Sequence, residues 1–489
     1  MTAERFGSSD NNWVELFNGR NLEGWRATGR EDSWKVMNGA LACAEPRSRL
    51  FYTGPVQSGR FRNFELEVEA QSKPLCRSGV LFHVDSLESG NSSQGFEVQI
   101  GSSFSEGKRC QELSRTGSLR GVRPIYKQLV ADETWFSVHI SVLGKRVQVR
   151  LNGTMLVDYV EPEQPVIPCR VSHGAIALQC YEENSGVSFR SIRLRALPDD
   201  LTSPQPAMAM DDVSHKISRH NRAGNPMLDL HVHLKGGLTL EEALERSRKD
   251  GIQYGIAVNC GKGFPVQDDA AAAEFCARMK GQPVFAGMQA EGREWTTMFS
   301  GEAAAQFDYV FTDAMTWTDD HGRRMRLWMP DEVGAIADAE SFMETLVART
   351  VEIVEHEPID IFVNPTFLPA VIASDYDRLW CDERMARVVD AAAQNGVAIE
   401  LNDLYHLPGK RFVLMAKAAG CKFTPGTNNT GPGDLGRSEY GLRMIDECGL
   451  AGEDFFVPGA SGLKAAVRKA AAFRSAQDRR VPLHVQRRS

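Results

Sequence analysis

Phe64-Glu-Leu-Glu-Val-Glu-Ala70 alternates apolar and acidic residues without a break. A period of two puts the apolar set on one side of an extended chain and the carboxylates on the other, the pattern of a half-buried strand. Val138-His-Ile-Ser-Val142 and Val147-Gln-Val-Arg-Leu151 repeat it. Asn18-Gly19, Asn38-Gly39 and Asn152-Gly153 punctuate such runs, and Asn-Gly is a strong hairpin signal. No long amphipathic helix interrupts residues 13–197. Short strands at regular spacing predict an antiparallel sandwich or jelly roll.

The character of the chain changes near residue 200. Residues 198–226 are polar, rich in Pro and Ser and without periodicity, which predicts a linker. Beyond them apolar runs alternate with helical patterns. Strands are expected at 226–230, 252–258, 283–288, 308–312, 359–363, 397–401 and 422–426. Helices are expected at Leu240–Lys249, Ala270–Lys280, Ala339–Glu355, Glu383–Asn395 and Arg411–Ala419. Strands alternating with helices mean a parallel sheet. Seven such units with no Gly-rich dinucleotide turn favour a barrel. The expected domains are therefore 1–200, a linker at 201–225 and an α/β barrel at 226–489.

The chain has 489 residues, more than one hydrophobic core usually serves. Hydrophobic residues make up 42% and charged residues 25%, an ordinary globular balance that excludes wholesale disorder. A net charge of −8 argues against a general nucleic-acid binder and suits a neutral small molecule. The ten cysteines contain no C-x-x-C pair; five precede residue 200 and five follow it. An odd number in each domain cannot pair completely within domains, so reduced thiols and a cytoplasmic location are expected. The first residues lack the apolar region of a secretory signal, and no stretch approaches the ~20 apolar residues of a membrane span.

In parallel barrels the chemistry lies at the C-terminal strand ends. The first strand end reads Asp229-Leu-His231-Val-His233. Alternation sets its Asp and both His on one face, as a metal requires. The later ends offer Asn259 and Cys260, Gln289 and Glu291, Asp313, Asn364, Glu400 and Asn402, and Thr427-Asn428-Asn429. Core packing alone does not require such a polar ring.

This stretch resembles the polymerase and histidinol phosphatase (PHP) superfamily over roughly 226–460. Asp229-Leu-His-Val-His233 matches its D-x-H-x-H motif, and Ile399-Glu-Leu-Asn402 and the run Thr424–Arg437 match its late motifs in order. Four of the metal-ligand positions that the resemblance implies have lost a charge or an imidazole, at Asn259-Cys260, Gln289, Asn364 and Asn428. A trinuclear cluster is therefore not expected. The reduced set is one divalent ion (Zn, Mn or Mg) on His231, His233, Glu291 or Asp313, and Glu400, with no organic cofactor. The competing reading makes the two histidines structural and the barrel a scaffold. Asn364, Asn402 and Asn428 are candidates for sugar hydroxyls.

The N-terminal half resembles the 3-keto-disaccharide hydrolase domain family, which has a concanavalin-like jelly-roll fold. The matching stretches are Glu15–Trp25, Trp34–Leu41, Ser78-Gly-Val-Leu-Phe82, Gly95-Phe-Glu-Val-Gln-Ile100, Thr134-Trp135, Leu151-Asn-Gly153, Ala175–Gln179 and Val187–Arg193. His83 stands where the family more often has Arg, and Cys180-Tyr-Glu-Glu replaces its His-Gly.

The resemblance implies chemistry on glycosides oxidised at C3. The ketone acidifies the C2 proton, a base removes it, the C1 substituent leaves, and hydration completes a net hydrolysis. Glu97 shares a strand face with Gln99, so Glu97 is the candidate base. His83 is the candidate acid and Lys127 the candidate for the C3 oxyanion. Gln99, Arg190 and Trp135 are candidate sugar contacts. The expected partner is a carbohydrate, without nucleic acid or membrane; homo-oligomerisation is left open. A metal-dependent phosphoesterase with a carbohydrate-binding jelly roll, and a non-catalytic carbohydrate-binding protein, are the alternatives.

Overall fold

The alternating run lies inside the strand Asn63–Ser72, the longest but one of its sheet. A computed structural model describes residues 12–28, 31–43, 48–85, 95–101, 113–181, 186–203, 209–318 and 323–473. Asn63–Ser72 pairs antiparallel with Phe136–Leu143 on one side and with Val187–Leu197 on the other. The sheet grows outward through Arg146–Leu151 and Thr154–Val160 in one direction, and through Ala40–Cys43 and Trp34–Met37 in the other. Val14–Glu15 lies beside Val187–Leu197. Phe64, Leu66, Val68 and Ala70 point into the core with no exposed surface. Glu65, Glu67 and Glu69 point outward and pair with Arg195, Arg193 and Arg190. Exposed pairs of this kind contribute little, about 0–1 kcal/mol each.

A second antiparallel sheet runs Trp25–Thr28, Ser48–Tyr52, Ala175–Cys180, Ser78–Val84 and Phe96–Ile100. Its inner residues, among them Val80, Phe82, Val98, Ile176 and Leu178, join one core with the first sheet. Two antiparallel sheets packed on a shared core form a sandwich, consistent with a jelly roll. Two of the three Asn-Gly pairs form tight hairpins, while at Asn18-Gly19 only the glycine is left-handed. Asn38 and Gly39 have φ of 51° and 75°, and Asn152 and Gly153 have 48° and 81°, the left-handed values a tight two-residue hairpin needs.

The chain divides into two compact units, Met1–Gly224 with Arg246–Gly251, and Asn225–Glu245 with Ile252–Ser489. The segment expected to be an aperiodic linker contains a helix, Asp212–Ala223, capped by the Asp211 carboxylate on the Ser214 N–H at 2.8 Å and ended by Gly224 at φ 80°.

The second unit carries seven parallel strands: Leu228–His233, Gln253–Cys260, Phe285–Ala290, Tyr309–Thr312, Ile361–Phe362, Ala398–Asn402 and Phe423–Gly426, adjacent in that order. Helices Leu240–Asp250, Asp269–Met279, Ala339–His356, Asp382–Asn395 and Lys410–Ala418 fall between them. The barrel is nearly closed. Asp229 on the first strand accepts from the Thr427 N–H and hydroxyl at 3.0 and 2.5 Å. Asn429 exchanges side-chain hydrogen bonds with the His233 backbone at 2.8 and 3.0 Å. Tyr309 reaches across the interior to the Leu230 carbonyl at 2.6 Å. Its ring needs Gly255 and Gly287, where a Cβ would lie 2.2 and 2.5 Å from its hydroxyl.

Candidate functional site

At the strand ends of the barrel, His231 Nδ1 lies 2.6 Å from Glu400 Oε1, with both side chains 1% exposed. Glu400 Oε2 accepts from the Asn364 N–H at 2.8 Å and from Asn402 Nδ2 at 3.0 Å. Asn402 Nδ2 also donates to Asn364 Oδ1 at 2.9 Å, and Asn364 Nδ2 to Asp313 Oδ2 at 3.0 Å. One hydrogen-bonded chain thus links Asp313, Asn364, Asn402, Glu400 and His231. Asn364 holds φ at 48°, a conformation Asn tolerates better than most residues. Glu291 accepts from Asn259 Nδ2 at 2.8 Å and Gln289 Nε2 at 3.0 Å. Burial, then the charge of Asp313, raises the Glu291 carboxyl above its usual range. Burial also raises Asp313. Burial, with the nearby His231 and Lys235, holds His233 well below the ordinary histidine value, so it is neutral.

One feature fits a divalent ion. With Nδ1 directed at Glu400, His231 Nε2 is buried without a hydrogen-bond partner among the described residues, and a carboxylate behind a ligating imidazole is the usual metal arrangement. The other expected ligands do not complete a set. Glu400 is committed to His231 and the two asparagines. Asp313 accepts from the Met315 N–H at 2.8 Å and from Asn364. Among the described residues no group of three His, Cys, Asp or Glu side chains is arranged to hold a metal. The residues present do not fit the expected single-ion site, and the reason is the amide substitution seen in the sequence. Asn364, Asn402 and Gln289 donate to the carboxylates of Asp313, Glu400 and Glu291.

The outer face of the five-stranded sheet holds the second cluster. Phe96, Val98 and Ile100 enter the core, so Glu97 and Gln99 face the other way, both nearly buried. Glu97 Oε2 accepts from the Tyr181 hydroxyl at 2.5 Å and from Arg120 Nη1 at 3.2 Å. Arg120 also donates to the Tyr181 hydroxyl at 2.7 Å and lies over its ring, as does Arg77. Gly79 sits opposite Gln99 in register, and a Cβ there would meet Glu97 Oε1 at 2.4 Å. The glycine of Ser78-Gly-Val-Leu-Phe82 is thereby explained as room for this carboxylate. Gln179 lies next across the sheet and accepts from Arg49 at 3.2 Å. Gln99 accepts from Ser114 at 2.6 Å. An apolar floor of Phe51, Leu81 and Ala177 lies in the adjoining row.

Residues 12–195 match the family model of the 3-keto-alpha-glucoside-1,2-lyase-like domain. The match ends before the barrel. A comparison with the curated proteins finds none that matches. Two solved structures described as glycosyl hydrolases from Parabacteroides distasonis ATCC 8503 cover 38% of this chain, at 22% and 19% identity. They are covered over 100% and 94% of their own length, with TM-scores of 0.32 and 0.33. A histidinol phosphate phosphatase from Lactococcus lactis subsp. lactis Il1403, solved with zinc, L-histidinol and phosphate, covers 47% of this chain and is itself 99% covered, at 15% identity and a TM-score of 0.34. At such scores these likenesses carry no function across.

Within the segment that matches the family model the expected site residues separate. Glu97 and Gln99 come together. His83 does not join them functionally: its Nε2 is 3.0 Å from the Arg62 carbonyl and its Nδ1 accepts from the Ser172 N–H at 3.3 Å. Burial pushes it down to about 4. A neutral imidazole with both nitrogens bound to backbone has no proton to offer a leaving group, so the acid role falls away. Arg190 donates to Glu69 at 2.6 Å and lies 4.6 Å over the Trp135 ring. Both sit on the outer side of the eight-stranded sheet, the sheet opposite Glu97, so neither contacts a sugar held there. Lys127 is half-buried in the irregular segment before Phe136–Leu143. Sequence reasoning missed Arg120, Tyr181, Gln179 and Arg49. A signal existed for Tyr181, which stands in the stretch that departs from the family pattern; Glu182 and Glu183 of that stretch lie outside the described residues.

Among the described residues no helix is long and apolar enough to cross a membrane. The nine described cysteines form no disulfide with one another; Cys110 lies outside the described residues.

Proposed function

We propose that the lyase-like sandwich domain cleaves glycosides already oxidised at C3, by elimination and hydration, on a concanavalin-like jelly roll. The observation that carries this reading is the nearly buried Glu97 carboxylate, held by Tyr181 and Arg120 on the outer face of the five-stranded sheet, within the segment that matches the family model. Glu97 takes the C2 proton, which the neighbouring ketone has acidified. The electron pair forms the C1=C2 bond and the C1–O bond breaks. Tyr181 supplies the proton to the departing oxygen, the role first assigned to His83, and is reprotonated from Glu97 through their shared hydrogen bond. Water then adds across C1=C2 to give the free 3-keto sugar. Arg120 donates to Glu97 and sets a positive charge beside its carboxylate. Gln99 and Gln179 supply amides for sugar hydroxyls, and Lys127 remains the candidate for the C3 oxyanion.

The test is aglycone release from a 3-keto-glycoside by the purified full chain. The wild type releases it and Glu97→Gln does not; release undiminished in Glu97→Gln refutes the assignment.

The barrel, PHP-like in its strand order and first motif, has no assigned step in this reaction. A phosphoesterase of that type would require a metal set, and among the described residues none is arranged.

A further inference from the structure

The strand ends of the barrel enclose a cavity of ≈ 520 Å³, within the ~300–1,000 Å³ of typical small-molecule sites. Four primary amides line it: Asn259, Gln289, Asn364 and Asn428. An amide both donates and accepts, as does each hydroxyl of a polyol; Asn259, Gln289 and Asn364 each spend one donor on Glu291 or Asp313 and keep a second N–H for a ligand. Glu291 and Asp313 share the same wall. Neither carboxyl supplies the positive charge that binds a phosphate dianion, and among the described residues no group of His, Cys, Asp or Glu is arranged to hold a cation beside them. The lining cations, Lys235 and Arg278, are both exposed. Trp328 and Tyr405 also line the cavity, and aromatic faces suit the C–H faces of a sugar ring.

We propose that this cavity is a binding site for a neutral polyhydroxy ligand of sugar type, held by amides in the positions where a metal-dependent barrel would carry charged ligands. The site stands on residues of the barrel alone and does not depend on the Glu97 reaction. Asn428 has φ of 45°, so Asn428→Gly removes its amide without straining the backbone. Trp328 is exposed at 36%, so Trp328→Ala leaves the core untouched.

Calorimetric titration of the full chain tests the proposal, with D-glucose, methyl α-D-glucopyranoside and inorganic phosphate as probes, each with and without added zinc. At least one sugar should bind without zinc. Its affinity should survive in Glu97→Gln and fall about tenfold in Asn428→Gly, the loss of one or two hydrogen bonds, and also fall in Trp328→Ala. Phosphate should give no heat in any condition. The proposal is overturned if neither sugar binds, if phosphate binds once zinc is added, or if sugar binding ignores both barrel variants or vanishes in Glu97→Gln.

Discussion

The Tyr181 hydroxyl donates to Glu97 at 2.5 Å although the two residues are 84 positions apart and on different strand ends of one sheet. The bond joins a carboxylate to the group that can pass on its proton. Arg120 closes the triangle by donating to both. The three side chains form a unit in which removal of any member changes the other two.

Tyr181→Phe keeps the ring beside Arg77 and Arg120 and removes only the hydroxyl. Its kcat for aglycone release should fall about 10²-fold or more, the usual contribution of a positioned acid. KM should change little, and thermal unfolding should confirm an intact fold. A kcat within a factor of two of wild type removes Tyr181 from the chemistry.

Asp229 is fully buried and accepts from Thr427 twice and from the His231 N–H at 3.3 Å. It therefore holds the seventh strand to the first. Asp229→Asn turns one accepting oxygen into a donor that faces donors, and should cost about 2–3 kcal/mol in urea unfolding. Thr427→Val, which removes the hydroxyl alone, should cost about 1 kcal/mol.

His83 gives a pH signature with a definite sign. Its folded value of about 4 lies below the ordinary 6.5, so the unfolded chain binds a proton that the folded chain refuses. The favourable contribution is complete above pH 6.5 and is lost as pH falls toward 4. The shift corresponds to about 3 kcal/mol. Unfolding free energies measured across that window should fall more steeply for the wild type than for His83→Gln. Parallel profiles would mean that His83 titrates in the folded state.

Much of this architecture is legible in the sequence because it rests on local periodicity. The run at residues 64–70 identifies its strand, and the alternation in Gly95–Ile100 puts Glu97 and Gln99 on the face away from the core. The barrel strands lie within a few residues of their expected bounds, for example Ala398–Asn402 against 397–401. Periodicity cannot say which sheet a strand joins, and so it does not separate Arg190 and Trp135 from a carboxylate on the opposite sheet. The partners Tyr181 and Arg120 are likewise set by sheet pairing rather than by spacing. The helix Asp212–Ala223 escapes because its surface is polar and only Ile217, His220 and Asn221 are buried. Glu439–Cys448 was not expected either; it contains Gly441, a residue that counts against a helix. Its Cβ position would lie 3.1 Å from Asp403, whose carboxylate accepts from the Tyr440 and Gly441 N–H groups. In the barrel the motif Asp229–His233 was visible, but the chain of amides that occupies the carboxylates joins residues from different strand ends.

The most direct measurement follows the C2 hydrogen of the substrate. A 3-keto-glycoside deuterated at C2 is incubated with the full chain, and mass spectrometry follows aglycone release and deuterium content of the released sugar against a control without enzyme. Elimination and hydration predict that deuterium leaves C2 in step with the aglycone, faster than in the control, and that Glu97→Gln does neither. Aglycone release with deuterium still at C2, at the level of the control, would contradict the account.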